Sequence, residues 1–318
     1  MTSAELFEEW AKKSGAAAEP LAKIIKNSSL SDCMELWLEE EDNKNIKFRE
    51  VNGIVRSLTI DTNKLDDLFK DWPFKTGLKK LLGTWPKNLR LRELGIIGET
   101  YIRQENHVDI NQISIDQVSL EKLCISEIGV KNIDLKLCPA LIELDIFENP
   151  IESIDLTENI CLEYLSLMET FLEHIRVSSL KHLKDLTITW PGELGYQRKS
   201  FPYIPFSDLI DISSATNLQR LALENIGIRS IDLSYHRKLI SLIIHNVPIV
   251  DINLLRNTEL ESIWIGDTYI DALDLSNCRN IKEVKFTGDF KNVKKIILNP
   301  RANPELDFNQ NEVEIVRI

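Results

Sequence analysis

Leucine recurs every 21 residues in two stretches of this chain: Leu120, Leu141, Leu162 and Leu183, then Leu218, Leu239 and Leu260, with Ile281 closing the second. Each opens the pattern L-x-x-L-x-L, with isoleucine or valine standing in at some positions. Examples are Leu120/Leu123/Ile125, Leu141/Leu144/Ile146, Leu162/Leu165/Leu167 and Leu218/Leu221/Leu223. Self-similarity at a fixed period of this size marks a stack of coils in which each repeat cannot bury its own apolar face.

Residues 141–161 show what one coil does. Leu144 and Ile146 alternate with Glu143, Asp145 and Phe147, the period of a half-buried strand. Ile154 and Leu156 then alternate around Asp155. The first strands pair in parallel, about 4.8 Å per coil, and line one face. The Ile-Asp-Leu segments line the other: Ile133-Asp134-Leu135, Ile154-Asp155-Leu156, Ile231-Asp232-Leu233 and Leu273-Asp274-Leu275. A period of 21 leaves no room there for a long helix, so short strands or 3-10 turns are expected.

The pattern L-x-x-L-x-L-x-x-N-x-L-x-x-L-D-L resembles leucine-rich repeat proteins, and among them the short 21-residue bacterial class called IRREKO. The resemblance runs well over residues 118–290, with weaker copies at Leu91/Leu94/Ile96 with Ile113/Ile115, and at Val55/Leu58/Ile60. It implies a solenoid with a parallel sheet on one face, used for recognition rather than catalysis. The family's asparagine ladder survives only at Asn149; Ile128, Thr170, Ile226, Val247 and Thr268 stand at the same position.

The chain divides into a helical N-terminal cap or small module at 1–45, a solenoid at 46–300 and a capping tail at 301–318. The first segment carries capping-box spacing at Thr2 and Glu5, and helix-like apolar groups at Leu6/Phe7/Trp10, Leu21/Ile24/Ile25 and Met34/Trp37/Leu38. A short helix at 78–82 and a loop at 98–109 interrupt the early coils. Leu183 and Leu218 lie 35 apart, so an insertion at 190–208 breaks the register. It holds Trp190, Tyr196, Phe201, Tyr203 and Phe206. The tail alternates Val313 and Ile315 with glutamates, as a last strand covering an open edge would.

A net charge of −12 disfavours a nucleic-acid backbone or an anionic membrane as partner and favours a basic protein. The start, MTSAELFEEW, lacks a basic region and an apolar run, and no stretch is apolar enough to span a membrane. Together with five cysteines this points to a reducing, cytoplasmic setting. Delivery into another cell without a signal peptide, with residues 1–45 as the targeting part, is the alternative. Cys138 and Cys278 share one column of the repeat but stand six coils apart, about 29 Å at the strand spacing, too far for a disulfide.

No H-E-x-x-H, G-x-S-x-G, Walker A or C-x-x-C pattern occurs. Neither catalytic residues, a cofactor nor a metal is expected. The aspartate column Asp134, Asp155, Asp211, Asp232, Asp274 reads as turn chemistry, because calcium needs six or more converging oxygens and one carboxylate per coil supplies too few. Function falls instead to the outward strand positions, which folding leaves free. Two groups there carry large side chains: Phe147, Tyr164 and Met168, and Ile243, His245 and Trp264. With Trp190, Tyr196, Phe201 and Tyr203 of the insertion they form the expected partner-binding surface; the alternative is that the loop folds down and buries its own aromatics on the strand face. An enzyme with a pocket under the insertion is the least favoured alternative.

Overall fold

The computed structural model describes residue 9 and residues 46–51, 54–61, 90–97, 110–115, 117–172, 174–191, 210–288, 292–308 and 313–318. The cap at 1–45 (Glu9 apart), the short helix at 78–82, the loop at 98–109 and residues 192–208 of the insertion therefore lie outside the described residues. The chain forms two compact units, Met1–Ile160 and Cys161–Ile318.

In the N-terminal unit the strands are β1 (Ile46–Val51), β2 (Ile54–Asp61), β3 (Glu93–Ile97), β4 (Ile110–Ser114), β5 (Lys122–Ser126), β6 (Val130–Asp134), β7 (Glu143–Phe147) and β8 (Ser153–Ile154). β2, β3, β5 and β7 run parallel in one sheet, and β1 pairs antiparallel on β2. β4, β6 and β8 form a second parallel sheet. The C-terminal unit repeats the plan with β9 (Tyr164–Met168), β10 (Ile175–Arg176), β11 (Asp185–Thr189), β12 (Ile210–Asp211), β13 (Arg220–Glu224), β14 (Ser241–His245), β15 (Ser262–Gly266), β16 (Ala272–Leu275), β17 (Glu283–Thr287), β18 (Lys295–Leu298), β19 (Glu305–Asp307) and β20 (Glu314–Arg317). Its main sheet is β9-β11-β13-β14-β15-β17-β19, and short sheets β10-β12 and β16-β18-β20 line the other side. The architecture is the parallel solenoid that the period demands. The tail enters both sheets: β19 adds to β17 and β20 to β18.

The repeat leucines are the core. Leu120, Leu141, Leu162, Leu183, Leu218, Leu239 and Leu260 are fully buried, as are the inward-facing strand residues between them, such as Leu144, Ile146, Leu221 and Leu223. Each contributes about 1.5–3 kcal/mol by burial. Register is strict: Leu221, Leu242, Ile263 and Val284 oppose one another across four strands, so apolar side chains stack only on their equivalents.

Three polar columns close the coils. Asn149 is buried; its Oδ1 accepts from the amides of Ile128 (3.1 Å) and Val130 (3.3 Å), and its Nδ2 donates to the carbonyls of Ile125 (3.0 Å) and Phe147 (2.7 Å). The aspartate column makes Asx turns. Asp155 accepts from the Thr157 amide and hydroxyl, Asp211 from those of Ser213, and Asp134, Asp232 and Asp274 from the amide two residues on. Asn253 and Asn299 do the same at their coils. Hydrogen bonds from Thr157 and Ser213, side chain before backbone, hold the Asp155 and Asp211 carboxyls below the usual carboxylate value. Among the described residues no group of three or more His, Cys, Asp or Glu converges as a metal site would require.

A third column was not foreseen. Asn159 donates to Leu135 and Cys138 carbonyls in the N-terminal unit, and Asn257 to Leu233 and His236 carbonyls in the other. His236, fully buried, donates its Nε2–H to the Ile212 carbonyl at 3.0 Å. The two column cysteines behave likewise, Cys138 Sγ donating to Ile115 O and Cys278 Sγ to Asn257 O. Burial pushes the Cys278 thiol up to about 12, with Asp274 adding to it.

Candidate functional site

Just after each main strand the chain must leave the sheet. After β5, β7, β9, β13, β14 and β15 it does so through a left-handed residue: Glu127, Glu148, Glu169, Asn225, Asn246 and Asp267 all have φ between 48° and 58°, and Gly288 does the same after β17. Asparagine, aspartate and glycine tolerate that region; glutamate does so at a cost of about 1–2 kcal/mol. The turn still completes the ladder, because the amides of Glu127, Asn225 and Asn246 donate to Phe147, His245 and Gly266 carbonyls of the next coil. The outward strand side chains thus stand in straight files behind a rim of carboxylates and amides.

The sheet face of the N-terminal unit presents Phe147, half-buried, and Ile97, which is 38% exposed and which the repeat pattern had not singled out. Lys122 and Glu143 pair at 2.7 Å beside them. Cys124 sits on this face as well. Partial burial, then Asp145 and Glu143, push its thiol up to about 11, so it is a poor nucleophile.

In the C-terminal unit Tyr164, 37% exposed, and Met168 stand at the two ends of β9. Between them and Ile243 the central file holds only small side chains, Ser166, Thr187 and Ala222. The file then rises: Ile243 opposes Trp264, and Trp264 opposes Lys285. The Trp264 indole N–H donates to Glu283 Oε2 at 2.9 Å, and the Lys285 ammonium lies 4.9 Å from the ring centroid. Lys285 is also paired with Asp307 at 3.3 Å.

His245 depends on a missing side chain. Gly266 lies between it and Thr287 in register, and a Cβ on Gly266 would collide with the Thr287 carbonyl and hydroxyl. Over that gap His245 Nδ1 reaches Thr287 Oγ1 at 3.0 Å, while Nε2 stands 3.6 Å from Asp267. The ring is thereby fixed on the face as a polar contact. An imidazole bonded to a hydroxyl resembles half of a catalytic pair, but 3.6 Å to the carboxylate is too long for the hydrogen bond that would orient a base.

The structure brings Ile243, His245 and Trp264 together on adjacent strands, and places Tyr164 and Met168 on the same sheet. Trp190 is different from the expectation that it lines the surface. It is 7% exposed, its amide donates to Glu224 O and its carbonyl accepts from Asn225 Nδ2. It anchors the root of the insertion in the core of its unit, because a large apolar ring at the end of a buried strand gains more inside than out. Tyr196, Phe201 and Tyr203 lie outside the described residues. On the turn side, a cleft of about 240 Å³ is lined by Asp211, Ser213, Ser230, Asp232 and Tyr235 among others. Both of its carboxylates are spent on Asx turns.

These features define a leucine-rich repeat solenoid whose strand face carries aromatic side chains among its described residues. No family model matches the chain, and no curated protein matches it. Solved structures do. The functional domain of InlJ from Listeria monocytogenes aligns at a TM-score of 0.49 with 20% identity, over 68% of this chain and 45% of that one. This chain thus spans less than half of that neighbour's length. An internalin, inlF, from the same organism aligns at 0.45 with 16% identity over 94% and 93%. Toll in its Drosophila complex with Spatzle aligns at 0.44 with 14% identity over 79% and 38%.

Proposed function

We propose that the chain is a non-enzymatic recognition module that binds another protein across its strand faces. The observation that carries this reading is where the large side chains stand. Tyr164, Met168, Ile243 and Trp264 occupy outward strand positions, where the fold makes no demand and small polar residues would serve. Aromatic, methionine and aliphatic groups ringed by charge are the composition of interface centres. Phe147 and Ile97 extend the same chemistry in the N-terminal unit, and Tyr196, Phe201 and Tyr203 of the insertion add to it. The period resembles that of the 21-residue bacterial repeats, and the chain's acidity suits a basic partner in the cytoplasm.

The test is capture from source-cell lysate with the wild type and with two variants, Tyr164→Ala and Ile243→Ser, followed by mass spectrometry. A protein retained by wild type and lost from both variants supports the reading. Identical captures from all three contradict it.

A further inference from the structure

The C-terminal end of the strand face carries an unbalanced set of charges. Glu283 and Glu305 oppose each other directly on β17 and β19, an arrangement of like charges that destabilises a sheet. Neither carboxylate is paired with a cation among the described residues. Lys282, beside them in sequence, is committed to Glu261 at 2.7 Å. Asp307 adds a third carboxylate, and it is the one paired with the Lys285 ammonium, at 3.3 Å. That ammonium sits on the face of Trp264, whose indole N–H is held by Glu283. An aromatic face, an indole edge fixed by a carboxylate and surplus negative charge together make a receptor for a cation.

We propose that Trp264, Glu283 and Asp307 form a subsite for an arginine side chain of the partner, and that Lys285 is a resident cation which the arginine displaces. This rests on the protein-binding reading above and specifies its partner. Arginine fits better than lysine. Its planar group stacks on indole, its fork can engage Glu283 and Asp307 together, and it is more weakly hydrated than an ammonium. Displaced Lys285 loses a part-exposed ion pair, which is worth little in water, and an indole contact that the arginine remakes in its place, so the exchange favours the newcomer.

The full chain is titrated with a short arginine-containing peptide, and with versions carrying citrulline or glutamate in its place. Binding is read calorimetrically and from the Trp264 indole N–H resonance, assigned by its disappearance in Trp264→Phe. The arginine peptide shifts that resonance and the other two do not. Lys285→Gln tightens arginine-peptide binding by about five-fold, because the competing cation is gone. Lys282→Gln makes the same change in net charge outside the subsite and alters affinity by less than about two-fold. Glu283→Gln weakens binding by about five-fold. Equal effects of the two lysine variants would reduce the result to long-range charge and overturn the subsite. So would a captured partner sensitive to Tyr164→Ala yet indifferent to Lys285→Gln and Glu283→Gln, an outcome that keeps the binding face and removes only the arginine. If no peptide binds and no protein is captured, both readings fall.

Discussion

Asn149→Ala tests the solenoid's internal hydrogen bonding where it is most concentrated. The side chain is 1% exposed and serves four backbone groups. One of them has other provision: the Phe147 carbonyl also accepts from the Glu127 amide at 3.0 Å. The Ile128 and Val130 amides and the Ile125 carbonyl lose this partner, each at about 1 kcal/mol or somewhat more. The expected loss is therefore about 3 kcal/mol, reduced if water enters the vacated space. Asn149→Asp is expected to be worse near neutral pH, since a carboxylate keeps the acceptor and turns its second oxygen against two carbonyls. Urea unfolding followed by circular dichroism gives the magnitude. Hydrogen exchange gives the location, with protection lost first at Ile128 and Val130. A loss under about 1 kcal/mol, or exchange unchanged at those two amides, would refute the reasoning that unpaired buried groups set the cost.

Leu144→Ala, at a side chain 1% exposed, should cost about 2–5 kcal/mol in the same unfolding assay. The Asx turns predict a pH dependence. Asp155, Asp211 and Asp232 titrate below 3.8 in the folded chain, so the stability they give is present above 3.8 and is lost as pH falls through their folded values. Replacing all three by Asn, which makes the same turn at Asn253 and Asn299, should flatten that acid limb in pH-dependent melting while leaving neutral stability within about 1 kcal/mol. Thiol labelling at pH 8 should find exposed Cys161 fast, with Cys124 and Cys278, pushed up to about 11 and about 12, slow. Gly266→Ala should cost about 1–3 kcal/mol by collision with Thr287 and broaden the His245 ring resonances, as its bond over the gap is lost.

The coils were legible because one requirement repeats: Leu218, Leu239 and Leu260 must each face the same interior, so each announces it. Asn149 and the aspartate column were legible for the same reason, being local chemistry at a fixed offset. The Asn159/His236/Asn257 column escaped because polar residues beside a turn read as solvent-facing. Its signal was present in Cys138 and Cys278, which occupy that column and were weighed only for a disulfide. The left-handed turn escaped because its early coils use Glu127, Glu148 and Glu169, side chains that do not advertise positive φ. The later Asn225, Asn246, Asp267 and Gly288 do. The surface was the least legible part. Periodicity placed Ile243, His245 and Trp264 outward, but nothing periodic could foretell that Gly266 lets His245 reach Thr287, that Lys285 would lie on Trp264, or that Trp190 would turn inward.

The central claim is that recognition occurs on the strand face and not on the turn face. It is tested most directly by measuring the affinity of the captured partner for wild type, for Tyr164→Ala with Trp264→Phe, and for Tyr235→Ala with Val250→Ser on the opposite side, beside the melting temperature of each. The account predicts that the strand-face pair weakens binding by more than about ten-fold, as truncated interface anchors do, with little change in melting, while the turn-face pair binds as wild type. Loss of binding from the turn-face pair with the strand-face pair unaffected would contradict it.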